Sequence, residues 1–188
     1  QSWASNLVSN ALGGYREIFM IAREADTIES ISESPLGAAG NNNSDIAAIS
    51  GDGQVVAFTS SASNLIAGDT NSWMDAFVYD ASTGVNERVN LTSEGGQVTL
   101  GVGEVTISGD GRYVAFSSAA FALVPDDTNS TTDVFLHDRQ TGDMRRISVA
   151  SDGTQADGAS TAPSFSHDGR YLTFLSRARN RVEGKTCT

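Results

Sequence analysis

Very little in this chain could tie it together covalently. One cysteine, Cys187, stands among 188 residues. No internal disulfide can form from it, so a secreted form must draw its stability from elsewhere. Basic residues are scarce as well: 12 Lys and Arg against 23 Asp and Glu leave a formal net charge of −11. That deficit excludes the positive footprint a nucleic-acid binder requires. It suits a soluble extracellular protein or a binder of cations, and equally a surface whose acidity serves solubility alone. No apolar run approaches the roughly 18 residues of a membrane span, and no segment has the periodicity and length of a convincing helix. No signal peptide is present, and the chain opens at Gln1 rather than Met; the expectation is an upstream segment removed or a piece of something longer.

What the chain does have is a repeat. Ser50-Gly51-Asp52-Gly53-Gln54-Val55-Val56-Ala57-Phe58 returns as Ser108-Gly109-Asp110-Gly111-Arg112-Tyr113-Val114-Ala115-Phe116, and again as Ser166-His167-Asp168-Gly169-Arg170-Tyr171-Leu172-Thr173-Phe174. The period from Ser50 to Ser108 to Ser166 is 58 residues, without insertion or deletion. Ile18-Phe19-Met20, Ala76-Phe77-Val78 and Val134-Phe135-Leu136 keep the same phase, as do Ser30-Ile31-Ser32, Arg88-Val89-Asn90 and Arg146-Ile147-Ser148. The repeats run in phase over 1–49, 50–107, 108–165 and 166–188, within one domain spanning 1–188.

Each repeat reads as four strands. Strand A, as in Val105-Thr106-Ile107-Ser108, runs into Asp110-Gly111, whose φ > 0 preference makes a tight hairpin. Strand B follows over Tyr113 to Ser117, rich in residues that fit a pleated, half-buried surface. A polar loop of roughly fifteen residues leads to strand C, Asp133 to Asp138; Thr141-Gly142 turns the chain into strand D, Met144 to Val149. A Gly- and Ser-rich link, Ser151 to Ser160, crosses to the next repeat. Four strands per repeat of 40 to 60 residues is the arithmetic of a β-propeller blade. Phe58, Phe116 and Phe174, with Phe19, Phe77 and Phe135, are expected to fill the space between blades, each contributing roughly 1.5–3 kcal/mol of burial.

Ser-x-Asp-Gly-Arg-Tyr-Val-Ala-Phe, then Asp-Val-Phe-Leu-x-Asp, Thr-Gly and Arg-Ile-Ser together resemble the TolB-like β-propeller repeat, over essentially the whole chain. The resemblance implies an all-β propeller, usually of six blades and often periplasmic, extracellular or at the cell surface. It embraces protein-binding modules, peptidase accessory domains and surface proteins, so it is specific for fold and poor for function.

The repeats are out of phase with the chain. Ser2 to Leu7 matches Ser60 to Leu65, so the chain enters after strand B. The expected order is C–D, A–B–C–D, A–B–C–D, A–B: three blades' worth of strands with a half-blade at each end. Propellers close with roughly four to eight blades, and open half-blades present unpaired edges. Either the sequence is a fragment of a longer propeller, or another chain completes the half-blades. The second reading makes the protein a homo-oligomer, a six-bladed ring of two chains, or an open polymer.

The B–C loops carry Asp69-Thr70-Asn71-Ser72-Trp73-Met74-Asp75 and Asp127-Thr128-Asn129-Ser130-Thr131-Thr132-Asp133. Oxygen-bearing side chains at loop positions 1, 3 and 7 are what Ca²⁺ requires. The candidate metal ligands are therefore Asp69, Asn71, Asp75, Asp127, Asn129 and Asp133. The alternative is that they cap turns through local backbone amides. The first repeat offers Ala11, Gly13 and Glu17 at these positions and the last Lys185 and Cys187 at the first two, so neither is expected to bind Ca²⁺.

Other residues have structural readings. Asp52, Asp110 and Asp168 belong to tight turns, and Asp80 and Asp138 hold the turns before Gly84 and Gly142. Arg88 and Arg146 are expected as exposed ion pairs, worth at most about 1 kcal/mol. His137 and His167 lie at unrelated phases, which argues against a shared metal site. Trp3 and Trp73 are either partner anchors or loop packing. Cys187 either bridges two chains or stays a free thiol. Asn42, Asn90 and Asn129 head formal glycosylation sequons, relevant only in a glycosylating host. No Gly-x-Ser-x-Gly elbow, no His-Glu-x-x-His and no Ser, His and Asp set stands out. The expectation is a non-catalytic extracellular propeller, calcium-stabilised, acting in self-assembly or protein interaction. The alternatives are the propeller part of a larger secreted enzyme and a ligand-binding propeller.

Overall fold

A computed structural model describes residues 14–180. Its strands are β1 (Phe19–Ala22), β2 (Thr27–Ser30), β3 (Ser44–Ile49), β4 (Val55–Ser60), β5 (Asp75–Asp80) and β6 (Val85–Arg88), followed by β7 (Val102–Ile107), β8 (Tyr113–Ser118), β9 (Asp133–Asp138), β10 (Met144–Arg146), β11 (Ser160–Phe165) and β12 (Leu172–Ser176). A 3-10 turn, Phe121–Leu123, interrupts the second B–C loop. Trp3, Ala11, Gly13, Lys185 and Cys187 lie outside the described residues.

The strands form two four-stranded sheets, β3-β4-β5-β6 and β7-β8-β9-β10, flanked by the two-stranded sheets β1-β2 and β11-β12. Every pairing is antiparallel between chain neighbours. These are two whole blades with a C–D half-blade before them and an A–B half-blade after them, the order the repeat predicts. Among the described residues they form an open array rather than a closed ring. β7 lies against β3 and β4 on one side and against β11 on the other, so successive A strands sit side by side.

The hairpins follow from the turn residues. Gly53, Gly111 and Gly169 have φ of 75°, 71° and 69°. Before each, an aspartate ties the turn: Asp52, Asp110 and Asp168 accept from the Ser50, Ser108 and Ser166 hydroxyls and from the amides of Gln54, Arg112 and Arg170. Neighbouring hairpins touch through their backbones. The Gly51 amide donates to Gly109 O at 2.8 Å, and a Cβ on Gly109 would lie 2.0 Å from His167 O. Only glycine fits that approach.

The core lies between blades. Phe58 and Phe77 stack at 5.8 Å and face the N-terminal half-blade with Ile18, Ile31 and Val56. Phe116 and Phe135 stack at 5.9 Å and face the first whole blade, against Val55, Ala57, Val78 and Val89. All four rings are fully buried. Phe174 and Phe19, at the same phases in the half-blades, are only half-buried, because the sheet or strand that would cover them lies outside the array.

Candidate functional site

The B–C loops fold back onto the D strands and the D-to-A links, and that brings the predicted ligands together. In the first whole blade Asp75 opens β5 and is completely buried. Its Oδ1 accepts from Asn90 Nδ2 at 2.6 Å, and its Oδ2 lies 3.2 Å from Arg88 Nη1. The same nitrogen is 3.1 Å from Asp69 Oδ1 and donates to Gln97 Oε1 at 3.1 Å. Gln97 then donates to Gly68 O and Thr70 Oγ1, fastening the loop to the link. Asn71 spends its oxygen on the amide of Trp73 and its nitrogen on Val98 O. That is an Asx turn, and it leaves Ser72 at a φ of 57°.

The second whole blade repeats this with changes. Arg146 Nη1 lies 3.6 Å from Asp127 Oδ1, which accepts from Gln155 Nε2 at 2.8 Å. Asn129 donates to Asp133 Oδ2 and Ala156 O, and accepts from the Thr131 amide. Ser148 replaces Asn90 and donates to Asp133 Oδ1. Burial raises the Asp75 carboxyl above its ordinary value, against the pull of Asn90 and Arg88. Asp127 is raised too, first by burial and then by the Asp133 charge, with Arg146 opposing. Asp127 Oδ2 is buried with no hydrogen-bond partner.

An arginine thus reaches the carboxylates of each loop. Arg88 and Arg146 are not exposed pairs: their side chains are 7% and 10% exposed and reach carboxylates that are nearly dry. Among the described residues no group of three or more His, Cys, Asp or Glu side chains is placed to hold a metal ion. Gln97 and Gln155 were not singled out from sequence, although they recur 58 residues apart beside the arginines. That recurrence was the available signal.

The N-terminal half-blade keeps the acid and lacks the cation. Glu17 takes the phase of Asp75 and Asp133, and Ser30 takes that of the arginines. Glu17 is buried, with the Ser30 hydroxyl at 3.5 Å; burial, then the Glu33 charge, raises its carboxyl. Ser32 Oγ accepts from the Ile18 amide as Ser148 Oγ does from Val134.

The opposite ends of the blades carry an exposed polar groove of about 500 Å³ lined by Asp110, Gly111, Arg112, Arg139 and Gln140. Its arginines are engaged. Arg112 makes a forked pair with Asp138 at 2.9 and 2.6 Å, holding that carboxyl well below the ordinary aspartate range, and Arg139 reaches Asp80 at 3.3 Å. Asp80 and Asp138 also accept from the amides of Ser82 and Gln140, the turn roles expected of them. Burial lowers the His137 imidazole, and His167 sits in the last A–B turn. Trp73 is 44% exposed.

No protein-family model and no curated protein matches the chain. Solved structures do match in fold. A putative TolB from Agrobacterium tumefaciens superposes with a TM-score of 0.57 at 17% identity, covering 90% of this chain and 48% of its own. An oligogalacturonate lyase from Vibrio parahaemolyticus gives 0.53 at 13% identity, covering 89% and 41%. A structure from work on two prolyl endopeptidases gives 0.53 at 14% identity, covering 85% and 22%. The fold is that of a partial TolB-like β-propeller, and the chain spans about half the length of the TolB protein it matches. The similar structures include enzymes, so the likeness speaks to fold alone.

Proposed function

We propose that this chain is a non-catalytic propeller module of the extracellular or periplasmic space, whose half-blades are completed by another chain and which acts in assembly or protein interaction. The observation that supports it is the complementarity of its two half-blades. Among the described residues β1-β2 is a C–D pair without an A–B hairpin and β11-β12 an A–B pair without a C–D hairpin, so each half-blade has the form the other needs. Exposed strand edges of this kind template pairing with a further strand. The polar residues that recur are engaged in building blades: the aspartates in turns and the arginine–carboxylate clusters in fastening loops to links. No helix among the described residues is long and apolar enough to cross a membrane.

Calcium enters this reading as a competitor of the arginines. To bind at Asp69, Asn71 and Asp75, or at Asp127, Asn129 and Asp133, it must displace a guanidinium, so stabilisation by calcium is expected to be small while Arg88 and Arg146 are present.

Hydrogen exchange on the whole chain tests the module reading. Ala81 donates to Gln54 O and Arg139 to Arg112 O. By the repeat, the amides of Leu172 and Phe174 point toward the missing strand. They are expected to exchange slowly, with the slow fraction growing as protein concentration rises. Fast exchange at every concentration refutes completion by another copy of this chain.

A further inference from the structure

The module reading leaves open which chain completes the half-blades, and the chemistry of the two edges answers it. In the whole blades β4 and β5 pair Phe58 with Phe77, and β8 and β9 pair Phe116 with Phe135. The same register set onto the free edges places Phe174 opposite Phe19, Leu172 opposite Ile21, Thr173 opposite Met20 and Leu175 opposite Ile18. Two of these are large apolar side chains held in water: Leu175 is 68% exposed and Ile21 is 60% exposed. Leu175 is informative because the repeat puts buried hydroxyls, Thr59 and Ser117, at that phase. It departs from the repeat only where no strand covers it.

The edges also differ in charge. In an acidic chain, Ser160 to Asn180 holds Arg170, Arg177 and Arg179 against one acid, Asp168. Arg16 to Ser30 holds Glu17, Glu24, Asp26 and Glu29 against Arg16 and Arg23. Arg16 is already paired with Asp45 at 2.6 Å. The register sets Arg170 beside Arg23 as Arg112 stands beside Arg139 in the second whole blade, with Ala22 at the phase of the Asp138 that holds Arg112.

Resting on the module reading, we infer that the partner is a second copy of this chain, and that β12 of one copy pairs antiparallel with β1 of the other with Phe174 opposite Phe19. Each junction joins the A–B half-blade of one copy to the C–D half-blade of the next as one four-stranded blade. Leu172, Phe174, Phe19 and Ile21 then pack on the second whole blade of the first copy, while Leu175 meets Ile18. Made twice, the contact gives six blades' worth of strands in a closed pair, within the size range of natural propellers. One surface patch meets a different one, so the contact is heterologous and closes only if the rotation is right.

Mixed cross-linking tests the register. One chain carries Thr173→Cys and the other Met20→Cys, both with Cys187→Ser. Position 173 falls between two hydrogen-bonded positions, so it belongs to the pair type whose side chains lie closest. Under mild oxidation the mixture is expected to give a disulfide-linked species of two chains. The control, Thr173→Cys with Ile21→Cys, puts the second thiol on the opposite face and is expected to give about tenfold less. Leu175→Glu, a change at an exposed position, is expected to leave the chain folded and abolish association by light scattering. A cross-link yield no greater than the control, in chains that still associate, overturns the register and leaves the module reading intact. Folded chains that remain monomeric at every concentration overturn the second copy as partner and leave completion to a chain of a different kind.

Discussion

Replacing Arg88 by alanine isolates the claim that a guanidinium, not an ion from solution, neutralises the buried loop acids. The change leaves Asp75, completely buried, and Asp69 without their cation, and it leaves Gln97 Oε1 with the Thr70 amide alone. Removing one partner of a buried ion pair costs about 3–5 kcal/mol because the other charge stays behind. For a domain of this size that lowers Tm by roughly 6–20 °C. The pH dependence has a definite sign. Asp75 is already raised in the folded protein and rises further without Arg88. A carboxyl raised on folding contributes most below its unfolded pKa, and that contribution is lost as pH rises through the folded value. The penalty of Arg88→Ala is therefore largest near neutrality and shrinks toward acid. Asp75→Asn in the same chain is expected to recover part of it by removing the stranded charge. Calcium, which gains little in the wild type, is expected to stabilise the Arg88→Ala chain, because the freed oxygens of Asp69 and Asp75 can then serve as ligands. Urea unfolding at acid and neutral pH, with calcium and with chelator, measures all three. A loss below about 1 kcal/mol that is indifferent to pH refutes the reasoning.

Three further outcomes are expected. Gly109→Ala forces two hairpin backbones apart, since its Cβ would stand 2.0 Å from His167 O; overpacking of this kind costs about 1–3 kcal/mol or more, read by urea unfolding. Phe116→Ala is expected to cost about 3–5 kcal/mol, and Phe174→Ala clearly less in dilute protein, the two converging at concentrations where a partner strand covers Phe174. Asp138 is expected to titrate well below ordinary aspartates by NMR and to return toward them in Arg112→Ala. Because Asp138 is lowered on folding, the stability it supplies is present above the ordinary aspartate pKa and is lost as pH falls.

The repeat made most of the fold legible. Strand C, Asp133–Asp138, is where the sequence places it, because its apolar run Val134-Phe135-Leu136 stands between a polar loop and a Thr-Gly turn. Strand A is less so. The pattern starts it at Val105, but β7 begins at Val102. A bulge between Val102 and Val105 breaks the alternation, as bulges do at the matching places in β3 and β11. Ile46 and Ala162 carry positive φ there, which neither residue type announces. Strand D is shorter than read, because after Arg146 the chain turns into the Val149–Gln155 bridge. The loop acids were found, yet the arginines that reach them were read as exposed. Arg88 lies 13 residues beyond Asp75 along the chain, and only strand pairing shows that the two meet in a buried pocket. Gln97 and Gln155 passed unnoticed because a lone glutamine in a Gly- and Ser-rich link carries no chemical signature of its own.

The central claim, that another copy of the chain completes the half-blades, is tested most directly by solution mass from light scattering across a range of concentrations. The account predicts a single species of twice the chain mass that dissociates on dilution. A folded species at the mass of one chain, unchanged as concentration rises, contradicts it.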